Sequence, residues 1–349
     1  MTSEISGEPL HTRCLAIAFS QGPGASIEFR ADIFDLRKSG LMELAGRIAS
    51  AGIIHKMELH GAFSGDSGRL ERLEWSQSHV MHEANRSTKG ECCRDPMGRL
   101  ADLVGTPLGD GFAAELKRRF GGPLGCTHVS TLFQELSAFA ARFRGVLRER
   151  PDLLPGRVPG ERLARRSVFF DAFLPDDAPA TTRIGVRLSD FFFAARQTDD
   201  GETMLRHDEV RVVADAELST WQLRSLSGRE RSREGPTCDS APWRSRDADL
   251  LEFATQSLRG GIMRAFLARF SERAEDACLL SALLSLAPGM TQVGAALSDV
   301  LVPSSSARPG GFGSSGPGPC YMLRSDGPLI ETLFGRDADG AGRADSNRS

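Results

Sequence analysis

Apolar and polar residues alternate one for one over His11–Phe19 (HTRCLAIAF), Ile27–Phe34 (IEFRADIF), His55–Phe63 and Leu70–His79. That is the period of a half-buried strand. The SGDSGR stretch between the last two is rich in turn formers and predicts a hairpin. Leu41–Ala51 reads as a short helix. Further on the period lengthens. Phe112, Leu116 and Phe120 recur every four residues behind Asp110, a residue type that caps helices. Leu132, Phe133, Leu136, Phe139, Phe143 and Val146 continue as a helical stripe.

The second half repeats this order: strands over Ile184–Phe193 and Val210–Leu223, then helices over Leu250–Phe270 and Cys278–Leu286. Leu100–Phe120 and Leu250–Phe270 align without a gap at an offset of 150, matching Leu100, Leu108, Gly111, Arg119 and Phe120 to Leu250, Leu258, Gly261, Arg269 and Phe270. His207 follows Met204 much as His55 opens the strand of the first half, at an offset of 152. The expected fold class is therefore α+β, with two duplicated lobes packed as a pseudo-dimer, each a mostly antiparallel sheet followed by helices. The lobes span 1–150 and 167–302, joined by a proline-rich linker at 151–166, with a largely disordered tail at 303–349. Within the tail, Cys320–Phe334 is expected to dock as a short element. The polar stretch Ser225–Ser240 reads as a mobile loop.

Composition narrows the function classes. The chain has 349 residues, 40% hydrophobic and 26% charged, with a net charge of -3, which gives no electrostatic case for nucleic acid or an anionic membrane. No apolar run suggests a membrane span, and MTSEISGEPLHTR lacks a signal-peptide core, so a cytoplasmic location is expected. Seven cysteines are too sparse for a disulfide scaffold, and the odd number leaves at least one free thiol. P-loop, GxGxxG, GxSxG and HExxH patterns are absent, which removes support for nucleotide binding and serine hydrolysis.

Candidate chemistry gathers at Gly121–His128, GGPLGCTH. Thr127 is placed to cap a helix starting near His128, and Cys126 at that N-terminus would feel a dipole favouring thiolate. A Cys-x-His pair can also ligate one ion. His55, Cys93, Cys126 and His128 together would suit a tetrahedral zinc or iron site, or a catalytic one with an open position. Cys92 is then a bystander, and His79 and His82 are alternates. Alternatively Cys126 is a nucleophile, or the whole set is structural. Cys278 matches Cys126 in the second half, where Leu280 replaces His128. Asp35 and Asp190 end corresponding strands and read as turn formers, Asp95 and Asp102 as caps, and the Phe169–Phe170 and Phe191–Phe193 runs as core.

His11–Phe143 resembles a family of bacterial domains of unknown function, the one numbered 2889. The resemblance is carried by Ile54-His55-Lys56-Met57, Cys93, Leu100–Gly105, Gly109–Phe112 and above all GGPLGCTH. It covers a little over a third of the chain and implies that His55, Cys93, Cys126 and His128 act together. Members usually carry a single such domain, so a second copy is a departure. The resemblance implies no reaction.

Two functions are expected from different classes. One is an enzyme of hydrolase or lyase type acting on a small organic substrate, with Cys126 and His128 at a metal or reactive thiol in the first lobe. The other is a non-catalytic binding or accessory protein with structural cysteines.

Overall fold

The computed structural model describes residues 7–44, 47–194, 203–236, 240–297 and 318–334. The alternating stretches form long strands, β1 (Glu8–Gln21) and β2 (Ser26–Arg37). Leu41–Ala51 is not the expected helix: it holds two short paired strands, β3 (Met42–Leu44) and β4 (Arg47–Ala49). Gly46 stands mid-segment, where a helix loses about 1 kcal/mol relative to alanine. β5 (Gly52–Ser64) and β6 (Leu70–His79) complete the first group of strands. Then come α1 (Phe112–Phe120) and α2 (Thr127–Glu149). Asp110 does not cap α1; Gly111 does, at φ 79°, in the left-handed region that glycine enters without steric cost.

The second half runs β7 (Arg162–Leu174), β8 (Thr181–Phe193), β9 (Met204–Glu217), β10 (Leu223–Glu234) and β11 (Arg244–Ser245). α3 (Asp247–Leu250), α4 (Ile262–Phe270), α5 (Ala277–Leu284) and α6 (Leu286–Ala296) follow. Three boundaries differ from expectation: the strand expected over Val210–Leu223 stops at Glu217, and Leu223 opens β10 after a turn. The strand β7 begins inside the proposed linker, because Leu163, Ala164 and Arg166 face the core. Ser225–Glu234, expected as a loop, pairs with β9 through its backbone as an antiparallel strand, with Leu226 and Gly228 facing the core.

Nine strands form one antiparallel sheet in the order β11-β10-β9-β8-β7-β1-β2-β5-β6. The halves thus meet edge to edge, β1 beside β7, rather than through a buried sheet face. One contiguous apolar core runs through both. Phe139 of α2 stacks on Phe19 of β1 at 4.7 Å and lies 6.0 Å from Phe192 of β8, so α2 lies across the junction. Each such ring, fully buried, contributes roughly 1.5–3 kcal/mol. The stretch Ala274–Ala296 is long and apolar enough to cross a membrane by length and composition, unlike the expectation; here it is broken into short helices, mostly buried.

Residues 318–334 pack onto the first half. Met322 and Leu329 enclose Cys93, and Arg324 pairs with Glu91 at 2.6 Å. The remainder of the tail, 303–317 and 335–349, lies outside the described residues.

Candidate metal centre

Strand phase builds this site. Leu15, Ile17 and Phe19 of β1 face the helices, and so do Ile27, Phe29, Ala31 and Ile33 of β2 and Met57, Leu59 and Phe63 of β5. Followed in the same phase toward one end of the sheet, those positions become Arg13 and His11, Asp35 and Arg37, and His55, all buried. The register sets Asp35 opposite both Arg13 and His55. Irregularities in pairing between Pro9 and His11 and between Asp35 and Leu36 mark this end. Such bulges re-aim side chains where a site is built.

Asp35 is the hub. Its Oδ1 accepts a hydrogen bond from Arg13 Nε at 2.7 Å and lies 3.1 Å from His11 Nε2. Its Oδ2 accepts from Arg13 Nη2 at 3.2 Å and faces His55 Nδ1 at 3.5 Å and His128 Nε2 at 3.4 Å. The His55 and His128 rings have centroids 3.7 Å apart. Asp35, His55 and His128 can therefore offer three ligand atoms within 4.8 Å of one another. Ligand atoms about 2.1 Å from a tetrahedral ion stand about 3.4 Å apart, which the two Asp35 distances match. His55 Nδ1 is buried and, 3.5 Å from Asp35 Oδ2, makes no well-formed hydrogen bond among the described residues, which leaves it able to ligate an ion.

The electrostatics suit a cation. Burial pushes Asp35 up, but Arg13, the hydrogen bond from His11 and the neighbouring His55 and His128 outweigh it and hold the carboxyl well below its usual range. Burial, then the neighbouring His55, hold His128 well below 6.5, with Asp35 pulling back. Burial likewise lowers His11. A carboxylate beside a neutral imidazole is the protonation a divalent ion needs. Arg13 and His11 fix the carboxylate from its far side, as outer-shell partners do. Only His128 has appreciable access to solvent, 17% exposed against 4% for His55 and 0% for Asp35.

Of the residues singled out from sequence, the structure unites His55 and His128. Cys126 sits beside them, its Sγ 3.9 Å from His128 Nδ1, on the ring nitrogen turned away from Asp35. Burial pushes the Cys126 thiol up to about 12, and the amides of Val129 and His128 recover only part of that. The expected dipole-stabilised thiolate loses to desolvation. Cys93 lies in the separate apolar cluster with Met322 and Leu329, its thiol also raised, first by burial and then by Cys126. Cys92 bonds Asp95 instead. His79 and His82 line a cavity of about 490 Å³ whose walls include Ile48, Ile54, Val80 and Met81, with Ile54 adjoining His55 in β5.

Asp35, expected to form a turn, is instead the buried hub. Asp190 is likewise fully buried, against Arg166. The signal lay in phase: a charged residue two positions beyond Ile33, on the core side of its strand, has to be paired. Thr127 does not cap α2 either. Cys126 takes the cap position, and Thr127 Oγ1 donates to the Pro319 carbonyl at 2.7 Å. The glycine-rich turn has a steric reason. A Cβ on Gly125 would overlap the Phe120 carbonyl and ring, so the chain can double back into α2 only with glycine there.

Residues 11–142 match the profile of a family described as a protein of unknown function (DUF2889). No curated protein and no solved structure matches the chain.

Proposed function

We propose, for a chain whose residues 11–142 carry the DUF2889 sequence pattern, a metal-dependent enzyme of hydrolase or lyase type acting on a small organic substrate. The observation that carries this reading is the convergence of buried Asp35 and His55 with partly accessible His128, their ligand atoms within 4.8 Å of one another. Two histidines and a carboxylate leave open positions on a zinc or iron ion. When bound, such an ion polarises a substrate oxygen or lowers the pKa of a water. His55, His128 and Asp35 would hold it, and Arg13 and His11 keep Asp35 ionised and oriented. The cavity beside Ile54 has the size of a small-molecule pocket.

The buried, protonated thiols favour a structural part for Cys93 and Cys126, the role given to cysteines in the alternative of a non-catalytic binding protein. Duplication belongs to the same proposal. Four long strands and then helices recur in each half, and Gly261 starts α4 at φ 80° as Gly111 starts α1 at φ 79°.

Elemental analysis of protein purified without an affinity metal tests the site, beside Asp35→Asn and His128→Ala. About one zinc or iron per chain, lost in both variants, is expected. Folded wild type that takes up no divalent ion ends the metal reading.

A further inference from the structure

The second half holds a centre at the positions matching the first. Arg166 of β7 pairs with Asp190 of β8 as Arg13 pairs with Asp35, through Nε and Nη2 at 2.8 Å each. The next strand sets Asp208 opposite Asp190 where β5 set His55 opposite Asp35. Cys278 is the second residue of α5, as His128 is of α2, and its Sγ lies 3.4 Å from Asp190 Oδ2. Asp190, Asp208 and Cys278 thus stand where Asp35, His55 and His128 stand. Their centre holds a cation already. The Arg142 guanidinium, carried in by α2, lies 3.2 Å from Asp190 Oδ2, 2.5 Å from Asp208 Oδ2 and 2.8 Å from Cys278 Sγ.

We infer that the second centre is a divalent-metal site whose ion has been replaced by the Arg142 guanidinium. The chemistry agrees at each position. Two carboxylates and a sulfur are a metal-ligand set, and all three meet at the Arg142 guanidinium, with Arg166 and Arg206 holding the outer sides of Asp190 and Asp208. Arg142 is 13% exposed, so its charge is held inside rather than shared with solvent. Cys278 is a thiol here, pushed well above its usual range by burial and then Asp190, and binding a metal in place of Arg142 would release its proton to solvent. The chain therefore carries one site that takes an ion from solution and one whose cation is built in. One helix serves both: α2 presents His128 to the first centre and Arg142 to the second. This inference rests on reading Asp35, His55 and His128 as a cation site.

The test is Arg142→Ala, loaded with cobalt(II) or zinc, with metal counted per chain and the near-ultraviolet cobalt–thiolate band recorded. Wild type is expected to bind one ion without that band. Arg142→Ala is expected to bind a second ion with the band, and Arg142→Ala/Cys278→Ser to lose the band. If Arg142→Ala unfolds in metal-free buffer, recovery of its circular dichroism on adding zinc supports the inference, and failure to recover overturns it. A folded Arg142→Ala that binds no more metal than wild type also overturns it. The two readings fail separately: wild type without metal sinks the first centre, whereas an unchanged count in Arg142→Ala sinks the second.

Discussion

Cys278 stands to Asp190 as His128 stands to Asp35, each with its side-chain sulfur or nitrogen 3.4 Å from Oδ2 of its aspartate. The ungapped offset of 150 makes Cys278 the counterpart of His128, not of Cys126 as the sequence comparison suggested. Asp276, buried against Arg246, takes the Cys126 place. His55 likewise corresponds to Asp208 by register rather than to His207, which stacks on Phe191 at 4.1 Å instead.

Asp35→Asn should lower stability by about 3–5 kcal/mol, because it leaves the Arg13 charge buried without its partner. Urea unfolding of metal-free protein measures this. A loss below about 1 kcal/mol would mean that Arg13 finds solvent or another carboxylate.

Cys126→Ser should keep its metal while His128→Ala loses it. The sulfur meets the far nitrogen of His128, so its removal weakens affinity by at most about 10–100-fold, the range of an outer-shell change. Metal loss in Cys126→Ser equal to that in His128→Ala would make Cys126 a ligand.

Acid should destabilise the metal-free protein from about pH 6.5 downward. His11 and His128 have folded pKa values below that of the unfolded chain, so below 6.5 the unfolded state binds protons that the folded state refuses. Each such histidine costs up to about 1.4 kcal/mol per pH unit until its folded pKa is reached. The depressed Asp35 acts in the same direction: its stabilisation is complete above 3.8 and is lost as pH falls below that value toward its folded pKa. Chemical unfolding from pH 7.5 to 4.5 checks the sign, and a flat profile would contradict it.

Alkylation at neutral pH should spare Cys93, Cys126 and Cys278, whose thiols burial holds protonated. Cys92, partly exposed, should react before them. Mass-spectrometric mapping after iodoacetamide decides, and fast modification of Cys126 would revive the nucleophile reading.

Gly125→Ala should loosen the start of α2, since the added methyl meets the Phe120 carbonyl. His128 moves with that helix start, so metal affinity should fall together with melting temperature. An unaffected affinity would show that the turn does not position His128.

Local pattern alone determined much here. Alternation marked β1, β2, β5, β6 and β8, and four-residue spacing marked α1 and α2, because a side chain's face follows from the repeat of its own element. GGPLGCTH with His55 gave two members of the candidate centre for the same local reason. What only tertiary structure decided was which strands pair and which charges that pairing buries. Asp35 became the hub because β1, β2 and β5 lie side by side and set Arg13 and His55 across from it. Cys93 left the set because residues 318–334 fold over it, and Arg142 reached Asp190 because α2 spans two halves joined in one sheet. Partners separated by tens to hundreds of residues leave no periodic trace, and the cost of burying a charge exists only once the chain has enclosed it.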